Sequence, residues 1–129
     1  MKRKNAGGGI SVKRLIKSFG YAFNGIRWVF CQEQNARVHL CIAACTVIAG
    51  VCFRISAAEW IAVAIVSGGV LAAETFNTSI EALSDMISPE YNESIKQIKD
   101  FAAGAVLIIA LAAAAVGGII FVPKIMALF

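Results

Sequence analysis

One carboxylate interrupts a stretch that could otherwise sit wholly in hydrocarbon. Residues Trp60 to Ile80 read WIAVAIVSGGVLAAETFNTSI, and their only charge is Glu74. Asn77, Glu81 and Asp85 follow it at spacings of three and four. At about 100° per residue, these four side chains fall within a sector of about 80° on one helix face. Phe76, Ile80 and Leu83 fall opposite. A charged side chain at membrane depth costs about 2.5–3.5 kcal/mol on insertion scales, so such residues are paired or functional. A line of three carboxylates and an amide can hold a metal ion and set a base beside a lipid.

The residue types allow a division of labour. Glu33 and Glu81 each stand near a membrane boundary, and hard carboxylate oxygens beside phosphates are what Mg²⁺ uses. Asn77, one turn deeper than Glu81, can complete that shell. The bland alternative is that these groups satisfy one another at helix ends. Glu74 is the deepest carboxylate. Burial makes a carboxylate a better proton acceptor, so Glu74 is the candidate general base toward a lipid hydroxyl. Its alternative is as partner to a basic or amide group on a neighbouring helix. Lys99 can neutralise charge on a transferred phosphoryl group, and Asp100 is placed as the N-cap of the last helix. His39, the only histidine, reads as an interfacial hydrogen-bonding residue. Cys41, Cys45 and Cys52 share one helix stripe and read as small apolar filler at a helix contact. There is no CxxC pair or CxxH spacing for zinc. The GxxxxGK[ST], GxGxxG, HRD and DFG patterns are all missing, so any use of ATP lies outside the usual nucleotide folds.

The elements that must position these groups are helical and apolar. The chain has 129 residues, 59% of them apolar, with a mean hydropathy of +0.76. Long charge-free runs of this kind point to transmembrane helices in one compact domain, residues 1–129. No cleavable signal peptide is expected, because the first apolar run starts late and no small-residue cleavage site follows it. Residues 1–10 are basic and Gly-rich and are expected to be disordered. From Ser11, which can cap it, a basic amphipathic helix over 11–32 is expected on the membrane surface. Its apolar residues Val12, Leu15, Ile16, Phe19, Phe23 and Ile26 recur at helical spacing. The chain then turns at the polar patch 32–37. Three membrane helices are expected at 38–54, 57–85 and 100–122, with Arg37 and Arg54 snorkelling at the ends of the first. Pro89 disfavours helix at Ser88.

Charge orients the array. Eight of the twelve Lys and Arg lie before Val38, which suits an anionic inner membrane face and argues against nucleic acid as partner. The N-terminal segment is therefore cytoplasmic. Glu33, Glu81, Asp85, Lys99 and Asp100 then gather on the cytoplasmic side, where nucleoside triphosphates are.

Two longer motifs carry a resemblance. Glu74-Thr-Phe-Asn-Thr-Ser-Ile-Glu81-Ala-Leu-Ser-Asp85 resembles the ExxNxxIExxxD signature of the prokaryotic diacylglycerol kinase and undecaprenol kinase family. Lys99-Asp100 followed by AAGAVL resembles that family's KDxxAGAVL, and RLIKSFGYAFNGIRWVFCQEQNARVH resembles its surface helix. The resemblance covers about residues 11 to 124. It implies a homotrimer in the bacterial cytoplasmic (inner) membrane, each subunit with a surface helix and three membrane helices. It further implies composite active sites on the cytoplasmic side that use MgATP. By position, Glu74 looks like the general base, and Glu33 and Glu81 look like metal ligands supported by Asn77. Arg14, Tyr21, Lys99 and Asp100 match nucleotide-contacting positions, and Glu90 and Tyr91 match part of a nucleotide-contacting stretch. There the family often has His after the Tyr, and this chain has Asn92. Phe121-Val-Pro-Lys124 and EQNARVH look more like the undecaprenol-type branch than the diacylglycerol-type one.

The sequence admits two other classes. A small oligomeric channel or proton-coupled carrier also places a carboxylate inside the membrane, but it has no need of Glu33, Glu81 and Lys99-Asp100 on one side. A structural membrane subunit would use its carboxylates only to pair helices.

Overall fold

The computed structural model describes residues 11–129; the segment expected to be disordered, 1–10, lies outside the described residues. Four helices follow in order: α1 (Val12–Gln32), α2 (Gln34–Cys52), α3 (Ala57–Ile87) and α4 (Glu93–Met126). The last three are long and apolar enough to cross a membrane. At 1.5 Å per residue, α2 is about 28 Å long, close to the thickness of a hydrocarbon core, while α3 and α4 reach about 46 and 51 Å. The surplus carries their polar ends beyond the apolar zone. α3 and α4 make the most extensive contact and are tied near both ends by Lys99–Asp85 and Lys124–Glu59, α2 packs on α3, and α1 touches α2 and α3 with Val29 as its buried residue.

The turns are made locally. Glu33 alone separates α1 from α2, in an extended conformation with φ −94° and ψ 122°. The expected turn over 32–37 is therefore one residue long, and Gln34–Arg37 form the first turn of α2. Ser11 stands at the N-cap of α1, but its side chain makes no capping bond there.

The α2–α3 turn is a Schellman motif. The N–H of Ile55 donates to the Gly50 carbonyl at 3.1 Å, and that of Arg54 to Val51 at 3.2 Å. Arg54 takes the left-handed conformation this needs, with φ 51°, a place usually given to glycine. Gly50 is itself required. A Cβ there would stand 2.7 Å from the Trp60 ring and 3.0 Å from Ile55 Cδ1. α3 then opens with a full capping box. Ser56 Oγ accepts from the Glu59 N–H at 3.3 Å, and the Ser56 N–H donates to Glu59 Oε2 at 2.7 Å. The second oxygen of Glu59 accepts from Lys124 Nζ at 2.6 Å, joining the hairpin to the far end of α4. Behind it Ile55, Val63 and Ile120 form a small core with Phe53 and Phe121, whose rings meet edge to face at 6.1 Å.

The last helix begins earlier than 100. Asn92 Oδ1 accepts from the Ile95 N–H at 3.2 Å and caps α4 at Glu93. Asp100 therefore lies in the second turn and caps nothing; it accepts from Lys96 Nζ, one turn earlier, at 2.6 Å. The cysteine stripe is also displaced from expectation. Ala36 and Gly50 are buried on the inner face of α2, while Cys41, Cys45 and Cys52 are exposed and free. They lie about 140–180° around the helix from Ala36, so they fill no helix contact within the chain.

Candidate functional site

The polar line on α3 faces inward. Glu74 is 3% exposed and Asn77 7%, with Thr78 and Ser84 also buried. Phe76 and Leu83 turn outward on the opposite face, whereas Ile80, expected with them, is half-buried because it lies only about 60° around the helix from Asn77. Glu81 is half-buried and Asp85 exposed, so burial fades along the line from the apolar interior to the polar end. The helix sets this gradient: spacings of three and four keep the side chains on one face, and each step rises by one turn.

The side chains differ in their partners. Asn77 Nδ2 donates to Glu81 Oε1 at 3.1 Å, which fixes which way the amide points. Its other atom, Oδ1, is buried and has no hydrogen-bond partner. An orphaned buried acceptor costs about 1–3 kcal/mol, and here it stands one turn from a carboxylate. The three ion pairs of the described residues are Lys96–Asp100, Lys99–Asp85 and Lys124–Glu59, and they leave Glu74 unpaired. Glu33, at the α1–α2 turn, is half-buried, as is His39.

At the polar end, Lys99 Nζ on α4 donates to Asp85 Oδ1 on α3 at 2.9 Å. Asp85 is largely exposed, so this pair is worth no more than about 1 kcal/mol. Glu90 and Tyr91 are exposed in the connection between α3 and α4, and Arg14 and Tyr21 are exposed on α1. The structure thus brings Glu74, Asn77 and Glu81 into one line, with Lys99 tied to Asp85 at its polar end, while Glu33 stands half-buried at the α1–α2 turn. It leaves Arg14, Tyr21, Glu90 and Tyr91 on the surface of the chain. Asn92, whose part the sequence did not define, is the α4 cap.

Whether this line can hold a cation turns on its oxygens. Among the described residues no three His, Cys, Asp or Glu side chains gather closely enough to hold a metal alone. Two carboxylates and a free amide oxygen are nevertheless the hard-donor set that Mg²⁺ takes when phosphates supply the rest. The unsatisfied Asn77 Oδ1 is the observation that fits.

Three apolar helices of membrane length, with a buried carboxylate on α3, mark a multi-pass membrane protein with a buried polar line. The signature of the family described as prokaryotic diacylglycerol kinase matches residues 20–121, and the chain belongs to that family of ATP-dependent lipid kinases. Among its relatives is an undecaprenol kinase of Bacillus subtilis, 34% identical over 88% of this chain and 93% of the relative. A diacylglycerol kinase of Synechocystis is also 34% identical, over 88% of this chain and 66% of the relative. A diacylglycerol kinase of Escherichia coli is 32% identical over 74% of this chain and 78% of the relative.

Proposed function

We propose that this chain transfers the γ-phosphoryl group of magnesium-bound ATP to the hydroxyl of a membrane lipid alcohol, with undecaprenol preferred over diacylglycerol. The observation that carries the reading is the buried, unpaired Glu74 on one helix face with Asn77 and Glu81, whose amide partner leaves a buried oxygen free. Glu74 takes the proton from the lipid hydroxyl as that oxygen bonds to the γ-phosphorus. The bond between the γ-phosphorus and the bridging oxygen breaks, and ADP leaves with the electron pair. Glu33, Glu81 and Asn77 Oδ1 would hold the Mg²⁺, which when bound neutralises charge on the phosphate oxygens. Lys99 is available for the phosphoryl oxygens because its exposed bond to Asp85 is cheap to exchange. Arg14, Tyr21, Glu90, Tyr91 and Asp100 are assigned to the nucleotide by their positions in the family motifs.

The membrane setting belongs to the same proposal. The chain forms a single domain in the bacterial cytoplasmic (inner) membrane, with its N-terminus and active site on the cytoplasmic side. The basic α1 lies on the membrane surface, where its exposed Leu15, Ile16, Phe19 and Phe23 meet the acyl boundary. Three copies assemble, and the exposed apolar faces of α2 and α4 supply the surface for it. The undecaprenol preference is supported by the EQNARVH and FVPK segments and by the high mutual coverage with the Bacillus subtilis relative. Purified protein in mild detergent with γ-labelled ATP and Mg²⁺ should label undecaprenol more efficiently than diacylglycerol, and chelation of the Mg²⁺ should abolish labelling. Labelling of neither lipid overturns the proposal.

A further inference from the structure

Burying a charge is costly unless it is paired or hydrogen-bonded, and Glu74 is buried without an ion-pair partner among the described residues. The three lysines of α4 are taken, Lys96 by Asp100, Lys99 by Asp85 and Lys124 by Glu59. The Asn77 amide is given to Glu81. Arg37 is exposed and lies about 160° around α2 from His39. His39 is half-buried, and the phosphoryl transfer gives it no part.

Two stripes meet between α2 and α3. On α2, His39, Ala43 and Gly50 fall within about 40° of one another. On α3, Trp60, Val63, Ser67 and Glu74 fall within about 60°. The stripes touch beside the α2–α3 turn, where a Cβ at Gly50 would stand 2.7 Å from the Trp60 ring. Further along, His39, Ala43, Ser67 and Val70 line one cavity, walled on its third side by α4. Equal steps along both helices from Gly50 and Trp60 bring Ala43 against Ser67, and then Ala36 against Glu74. The complete burial of Ala36 agrees with such a contact. His39 is three residues, about 4.5 Å, along α2 from Ala36. Each Cα–Cβ bond tilts toward the N-terminus of its own helix. The two helices run antiparallel, so Glu74 leans toward Val70 while His39 leans toward Ala36. The carboxylate and the imidazole converge from adjacent turns.

We propose that His39 is a positioning residue for Glu74: a ring N–H donates to one carboxylate oxygen and holds the other toward the lipid hydroxyl. The inference rests on the lipid-kinase reading and adds to it the group that orients the base. The neutral ring keeps its N–H throughout. The hydroxyl proton ends on the second oxygen of Glu74, and none passes to His39.

The chain has a single histidine, so its ring nitrogens can be read by NMR of untagged protein labelled at histidine, without ATP or lipid alcohol. Glu74→Gln and Glu74→Asp should each move the ring N–H signal, the second because the carboxylate is drawn back by one methylene. A signal unmoved in the assembled variants overturns the proposal, as does one that moves only with Ser67→Ala. Kinetics give a second reading. A misplacement of about 1 Å can cost about 10²-fold, so His39→Leu should lower kcat at least about tenfold, with KM for MgATP unchanged. His39→Gln keeps an N–H donor and should recover part of that loss. In a Glu74→Gln background His39→Leu should cost nothing further, because no base is left to orient. A packing role would lower turnover equally in both backgrounds, and that result overturns the proposal. Failure of the native protein to phosphorylate either lipid strikes the kinase reading instead, since the ring signals report the contact without turnover.

Discussion

Replacing Asn77 with Val separates a metal ligand from a helix-packing amide. The substitution removes the hydrogen bond from Nδ2 to Glu81 Oε1 at 3.1 Å. A bond to a charged group is worth about 1.5–3 kcal/mol, at the low end here because Glu81 is only half-buried. It also removes the buried, unpartnered Oδ1, whose desolvation costs about 1–3 kcal/mol. The two terms nearly cancel, so stability should change by no more than about 1 kcal/mol. If Oδ1 ligates Mg²⁺, function responds quite differently, because the ion loses a ligand and Glu81 loses its orientation. Second-shell and orienting losses at metal sites cost about 10–100-fold in affinity or activity. The assay is a Mg²⁺ titration of turnover at fixed ATP, paired with a thermal unfolding scan in the same detergent. The expected result is a shifted Mg²⁺ midpoint at nearly native Tm. A native Mg²⁺ midpoint refutes the ligand assignment. A large fall in Tm shows that the amide is structural and that the two contributions do not cancel.

Other consequences are independent of the metal. Gly50→Ala drives a Cβ to 2.7 Å from the Trp60 ring, and overpacking of this kind costs about 1–3 kcal/mol; a native Tm would show that the α2–α3 turn can relax. Lys99→Met breaks only an exposed bond to Asp85, so unfolding should move little while KM for ATP rises. Unchanged ATP kinetics would remove Lys99 from the nucleotide site.

Much of the architecture was legible because two periodicities agree. Apolar runs of membrane length fixed three helices, and the spacing of Glu74, Asn77, Glu81 and Asp85 fixed the buried face of the second of them. The ends of elements were harder to read. The polar run Glu93–Asp100 looks like a loop by composition, yet Ile95, Ile98 and Ala102 keep helical spacing through it. Asn92 before Glu93 was the available signal, an Asx cap with an acid in the first turn. The turn at Glu33 was hidden because one extended residue leaves no compositional mark. Cysteine is small and apolar enough for either face of α2, so its stripe could not be assigned without knowing that Ala36 and Gly50 are the buried residues of that helix. The orphaned Asn77 oxygen and the cavity beyond Val70 are properties of three helices together. No one-dimensional pattern contains them.

If Glu74 is the base, Glu74→Gln removes the chemistry and leaves the fold. The variant keeps size and hydrogen-bonding capacity but cannot accept the proton. Turnover of the lipid alcohol and affinity for MgATP are measured on one size-selected, assembled fraction. Turnover should fall about 10²–10⁴-fold with ATP affinity and assembly retained. Near-native turnover in the assembled variant would contradict it and leave the buried carboxylate without a chemical role.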